Sequence, residues 1–113
     1  MLPRVTIIVL NWNGYQDTIE CVVSLKDIEY DNYEVLIVDN GSTNDSVEIL
    51  QERFPEITLI RNKENLGFCE GNNVGIRYAL KNNSDYLFVL NNDTVVDKYI
   101  LEYFVKVAEN NDD

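Results

Sequence analysis

Val5-Thr6-Ile7-Ile8-Val9-Leu10 runs without polar alternation straight into Asn11-Trp12-Asn13-Gly14. A largely β-branched stretch of this kind reads as a strand covered on both faces, as in a parallel sheet, and the Asn/Gly cluster punctuates it. From Tyr15 to Lys26, Ile19, Val22, Val23 and Leu25 recur at roughly helical spacing, with Asp17 and Glu20 early and Lys26 late, as a helix dipole prefers. The alternation then repeats. Val35-Leu36-Ile37-Val38 stops at Asp39-Asn40-Gly41, and Ser42 to Asp45 opens a second helix whose Val47, Ile49, Leu50 and Phe54 are ended by Pro55. Ile57 to Ile60 is a short third strand, Arg61 to Gly71 a polar loop, and Asn73 to Lys81 a third helix. Tyr86 to Leu90 is a fourth strand ending in Asn91-Asn92-Asp93; Lys98 to Ala108 is a last helix, and Asn110 to Asp113 a frayed tail. The order βαβαβαβα predicts an α/β domain, a three-layer sandwich with a mainly parallel sheet between helices.

Composition narrows the function. At 113 residues and 45% hydrophobic the chain suits one core, and its apolar runs fall far short of the ~20 residues a bilayer span needs. With no leader pattern at its start, it is expected to be soluble. A net charge of −11 repels phosphate backbones, so nucleic acid is not an expected partner. The absence of His removes Ser-His-Asp and Cys-His nucleophile schemes and every imidazole metal site, leaving oxygen-held hard ions such as Mg²⁺ or Mn²⁺. Cys21 and Cys69 form no CxxC pair; a reduced cytosolic setting is the default, with a disulfide between them left open.

In open parallel sheets ligands bind beyond the carboxyl ends of the strands. Four polar clusters fall at such ends: Asn11 to Gly14, Asp39 to Ser42, Asn65 to Phe68 with Asn72-Asn73, and Asn91 to Asp93. Taken singly, each reads most simply as a turn, and Ser42 with Asp45 as a helix-capping pair. Four on one rim point to a site. Neither GxGxxG nor GxxxxGK[ST] occurs, so phosphates must be met differently, and a divalent cation bridging carboxylate and diphosphate suits so acidic a chain. Asp93, at the end of an apolar strand, is the obvious ligand. Trp12 and Phe68 could stack on a base, but large aromatics more often serve core or rim packing, and both are left out of the site. Arg61, Lys63 and Arg77 are within possible reach of a diphosphate, although surface cations are usually just solvated.

The four blocks, in this order and spacing, resemble the family 2 glycosyltransferases of the GT-A fold, with its Rossmann-like sheet; Asn91-Asn92-Asp93 in place of Asp-x-Asp is similar to rhamnosyltransferase-like members. The resemblance implies transfer of a sugar from a nucleotide-diphospho-sugar donor to a sugar, lipid-linked or polysaccharide acceptor. It implies that Asp39 hydrogen-bonds the nucleobase or nucleoside, that Leu10, Asn11 and Asn13 line the same pocket, and that Asn40 and Ser42 support the loop. Gly67 and Asn72 would shape the wall near ribose and diphosphate. Asn92 would face the ribose and sugar, and Asp93 would ligate Mg²⁺ or Mn²⁺.

Asn91 takes one carboxylate from the family's motif, which would weaken metal binding or make it depend on the donor. The family's acceptor-binding half and catalytic carboxylate lie further along, so residues 1–113 are expected to form the donor-binding portion, with no base of their own and no transfer activity in isolation. The implied mechanism is inverting displacement, in which a carboxylate deprotonates the acceptor hydroxyl. The location implied is cytoplasmic, peripheral to the inner face of the membrane in the full-length protein. The apolar strand Tyr86 to Leu90 makes a poor bare edge, and two copies are expected to meet there as a homodimer, by strand pairing or an apolar contact. A non-catalytic nucleotide-binding or regulatory α/β domain is the competing class. A phospho-receiver, however, needs acids after the first strand, where this chain has none. A nucleotidyltransferase would show a Gly-rich, basic loop there, and Asn11 to Gly14 is neither.

Overall fold

A strand with an apolar run as continuous as Ile7 to Leu10 needs partners on both edges and cover on both faces, and β1 (Val5–Asn11) obtains all of these. In the computed structural model, which describes residues 2–110, β1 is followed by α1 (Tyr15–Lys26), β2 (Tyr33–Asp39), α2 (Ser46–Arg53) and β3 (Thr58–Arg61). Then come α3 (Phe68–Lys81), β4 (Tyr86–Asn91) and α4 (Ile100–Asn110). The sheet order is β3-β2-β1-β4 with every pair parallel. Asn11 stands in register with Asp39, Leu10 with Asn91, and Asp39 with Arg61, so the polar strand tips are flush.

Alternate side chains divide the core. Val5, Ile7 and Val9 of β1 and Val35 of β2 pack under Cys21 and Leu25 of α1 and Leu101 and Val105 of α4. Ile37 lies on the same face against Val22, Leu50 and Phe54, which brings α2 into that layer. Ile8, Leu36 and Val38 face the other way, toward Val74, Ile76 and Tyr78 of α3. The molecule is thus a three-layer α/β sandwich with three helices on one face and one on the other, as the alternating pattern predicts.

The boundaries differ where polar residues misled. Helix α3 starts at Phe68, five residues before the expected Asn73, so the preceding loop is shorter than its composition suggested. Gly67, at φ +85°, is its N-cap, and the polar first turn hides the boundary. Helix α2 starts at Ser46; Ser42 to Asp45 stay outside it, and Asp45 makes no side-chain capping bond. The last helix runs Ile100–Asn110 instead of Lys98 to Ala108. Asn110 therefore belongs to a helix, while the rest of the expected frayed tail, residues 111–113, lies outside the described residues. Cys21 is buried on α1 and Cys69 exposed on α3, in opposite layers, and both are free thiols. No helix among the described residues is long and apolar enough to cross a membrane.

Strand β4 is the sheet's open edge on the side of β1. Phe104 covers one face of it, edge-on to Tyr86 and Phe88 with centroids 6.2 and 5.1 Å away, whereas Val89 on the other face remains exposed. Helix α3 comes close to the sheet because Gly75 has no side chain: a Cβ there would stand 2.8 Å from Ile8 Cγ2 and 3.1 Å from Val38 Cγ2, both fixed by burial. Gly75→Val is accordingly expected to lower stability by about 1–3 kcal/mol through overpacking. Leu80→Ala, at an exposed position of the same helix, should stay within about 0.5 kcal/mol in urea unfolding.

Candidate donor-binding site

Because the strands are parallel, all four polar clusters lie on one edge of the sheet. At its centre is Asp39, a carboxylate with no exposed surface. Burial of such a group demands donors. It receives three: Asn11 Nδ2 to Oδ1 at 2.9 Å, Ser42 Oγ to Oδ1 at 2.6 Å, and Ser42 N to Oδ2 at 2.9 Å. Ser42 is thus a partner of Asp39 instead of a helix cap, and its hydroxyl also accepts from Asn13 N at 2.9 Å.

Two asparagines tie neighbouring loops to this centre. Asn13, at φ +53°, accepts from Thr43 N and Asn44 N through its side-chain oxygen and donates to Thr43 Oγ1, buckling the β1–α1 loop to the β2–α2 loop. Asn40, 2% exposed, donates to Asn65 Oδ1 and Gly67 O and accepts from Asn62 Nδ2 and Leu66 N, which fixes the β3–α3 loop. Gly41, at φ +76°, lies under that same loop, where a Cβ would fall 2.3 Å from the Glu64 carbonyl carbon.

The open part of the rim is a cleft of about 300 Å³ lined by Leu10, Trp12, Phe68, Leu90, Asn91, Asn92 and Asp93. Trp12 and Phe68 are 51% and 61% exposed and line the cleft, so of the two packing roles expected of them the core is excluded and the rim remains. Their place just after β1 and at the start of α3 was the available signal. Asp93 is exposed and is the cleft's one acidic residue among those described. Gly67 is exposed at the α3 N-terminus. Asn72, 5% exposed on α3 beside Gly71, has neither amide atom hydrogen-bonded to a described residue. Arg77 is occupied by Glu70 at 3.0 Å, and Arg61 is an exposed strand end.

Thr18 escaped sequence reasoning altogether. It is fully buried in the first turn of α1, where it donates to Asn11 Oδ1 at 2.6 Å and accepts from Asn92 Nδ2 at 3.2 Å. One turn on, burial and the nearby Asp93 charge push the Cys21 thiol up to about 11, against the pull of the Thr94 N–H. A further turn on, Ser24 Oγ accepts from Val96 N at 3.2 Å. Positions 18, 21 and 24 of one helix stripe therefore face residues 92, 94 and 96 of the segment that carries Asp93.

Among the described residues no group of three or more Cys, Asp or Glu forms a metal cage. A single exposed carboxylate with amide oxygens beside it nevertheless fits the habit of Mg²⁺ and Mn²⁺, which take few protein ligands and complete their shell with substrate phosphate and water.

Residues 6–113 match the sequence profile of "Glycosyl transferase family 2", and the chain belongs to that family. Its sheet and helices have the GT-A type of fold. Among curated relatives, an uncharacterized glycosyltransferase of Haemophilus influenzae is 29% identical over 113 residues, covering 97% of this chain and 34% of that protein. Glycosyltransferase GlyG of Streptococcus pneumoniae is 26% identical over 115 residues, 99% of this chain and 37% of that protein. The chain thus spans about a third of the length of the curated relatives it matches. Among solved structures, mannosyltransferase PcManGT of Pyrobaculum calidifontis, in complex with GDP-Man and Mn²⁺, superposes with a TM-score of 0.83 at 25% identity, covering 96% of this chain and 33% of that one. TarS of S. aureus with UDP-GlcNAc superposes at 0.82 and 19% identity, covering 95% of this chain and 31% of that one, a likeness of fold.

Two outcomes follow from the geometry. Gly41→Ala should cost about 1–3 kcal/mol in urea unfolding, since it forces a side chain into left-handed backbone against the Glu64 main chain. At pH 8 only about one Cys21 thiol in a thousand is ionised, so a thiol reagent should modify exposed Cys69 quickly and Cys21 only after unfolding; mass spectrometry of timed aliquots checks the order.

Proposed function

We propose that residues 1–113 form the donor-binding portion of a glycosyltransferase that transfers a sugar from a nucleoside-diphospho-sugar with inversion. The observation that carries this reading is the cleft lined together by Asp93, Asn91, Asn92 and two exposed aromatic side chains, Trp12 and Phe68. Membership of the family and the GDP-Man and Mn²⁺ of one structural neighbour support it.

In this scheme the Asp39 cluster shapes the nucleoside end, with Leu10, Asn11, Asn13, Asn40 and Ser42 holding the pocket's frame. Gly67 and Asn72 would shape the wall near ribose and diphosphate, with the Asn72 amide, hydrogen-bonded to no described residue, supplying the donor and acceptor. Asp93, with Asn92 beside it, would hold Mg²⁺ or Mn²⁺; when bound, such an ion neutralises charge on the departing diphosphate. Replacing carboxylate–phosphate repulsion by two attractions is what a chain of net charge −11 requires. Asp93, the cleft's one acid among the described residues, is assigned to the metal, and the chain spans about a third of its relatives' length, which supports a general base and an acceptor site contributed from beyond residue 113. Two free cysteines suit a reducing, cytoplasmic setting. The open edge of β4, with Val89 exposed, is where a second copy would add a strand.

Trp12 is the chain's single tryptophan and lies in the cleft, so its fluorescence reads occupancy directly. UDP and GDP titrated with and without Mn²⁺ should reveal weak, Mn²⁺-enhanced binding of one of them, and no sugar transfer by this chain alone. Asp93→Asn is expected to lower the Mn²⁺-supported affinity about tenfold and to leave the Mn²⁺-free value nearly unchanged. Insensitivity of binding to both Mn²⁺ and Asp93→Asn would contradict the reading. Sedimentation velocity tests the edge: a strictly monomeric species would count against pairing through β4.

A further inference from the structure

We propose that Thr18 is a positioning residue that couples the buried Asp39 centre to the Asn92-Asp93 segment; its meaning for donor binding rests on the function proposed above. The hydrogen bonds run in one direction. Asn92 Nδ2 donates to Thr18 Oγ1 at 3.2 Å, Thr18 Oγ1 donates to Asn11 Oδ1 at 2.6 Å, and Asn11 Nδ2 donates to Asp39 Oδ1 at 2.9 Å. Each donor thus points toward the carboxylate, and a chain so aligned polarises along its length. The hydroxyl of Thr18 is the joint, because it alone both gives and receives between Asn11 and Asn92. Three tips of the sheet, on β2, β1 and β4, are linked through it without a single backbone bond between β2 and β4.

The close fit around this joint supports the assignment. Thr18 and Asn11 have no exposed surface, so water cannot substitute for a lost partner. Asn92 also donates to Gly14 O at 3.4 Å, and a Cβ at Gly14 would come within 2.9 Å of Asn92 Nδ2. The amide of Asn92 is therefore seated over the first turn of α1, and the position of the next residue, Asp93, follows from that seat. Loss of the Thr18 hydroxyl leaves the Asn92 amide only its longer bond to Gly14 O and so loosens the carboxylate that follows it, while Asp39 keeps its Ser42 donors.

Side-chain amide NMR on the 113-residue chain tests the coupling without any ligand. Ser42→Ala removes a donor at the far end of the relay and is expected to shift the Asn92 side-chain amide resonances. In the Thr18→Val background the response should vanish, and in the Thr18→Ser background, where the hydroxyl is kept, it should return. A response that survives Thr18→Val, or that is absent from the unsubstituted chain, overturns the relay. Titration with UDP and GDP, read by Trp12 fluorescence, supplies a second test. Thr18→Val should hold the Mn²⁺-free affinity within about twofold and reduce the Mn²⁺ enhancement about fivefold or more, with Thr18→Ser restoring it. Equal losses with and without Mn²⁺ would make Thr18 a packing residue and overturn the proposal. If the unsubstituted chain binds neither nucleotide, the donor-site reading falls, and the NMR result alone decides the relay.

Discussion

A carboxylate sealed from water at the tip of a central strand sets the terms for everything around it. Asp39 must be given donors, and the sequence supplies them from its own loop through Ser42 and from the neighbouring strand through Asn11. Once Asn11 is turned toward Asp39, its amide oxygen faces α1, and Thr18 is the residue that meets it. The loops after β1, β2 and β3 are then drawn together by Asn13 and Asn40, whose amides serve as buckles between segments instead of reaching outward. What is left open is the aromatic and acidic cleft at β1, α3 and β4.

The order of elements was legible because the strands carry short continuous apolar runs and each helix an apolar stripe, two patterns that local sequence displays directly. The placement of the polar clusters on one rim was legible too, since it follows from parallel topology. The start of α3 was not, because Phe68 to Asn72 mixes an exposed aromatic with Gly, Glu and Asn and shows no apolar repeat. Trp12 and Phe68 were set aside because large aromatics usually seek cover, a tendency that this open cleft reverses. Thr18 carried no signal at all: a threonine inside a helix looks like a solvated position until the fold sets Asn11 on one side of it and Asn92 on the other.

The two faces of the sheet do different work. One side is filled by three helices and includes the stripe of α1 that holds residues 92 to 96 through Thr18, Cys21 and Ser24. The other is covered by α3 alone, drawn in close over Ile8 and Val38 by Gly75. The cleft lies where the tip of α3 and the end of β4 meet across β1, so packing on both faces contributes to its walls.

The two buckles share a chemical weakness. Asn13 and Asn40 each precede glycine, the neighbour that least hinders attack of the following backbone nitrogen on the side-chain carbonyl and so favours loss of ammonia. In the folded chain Asn40 is held by Asn62, Asn65, Leu66 and Gly67, which keeps its carbonyl from that attack. In the unfolded chain nothing does. Deamidation there would leave an aspartate oxygen facing the carbonyl oxygens of Asn65 and Gly67, so a molecule aged while unfolded could not refasten its rim on refolding. The architecture protects its own fastenings only while it stays assembled.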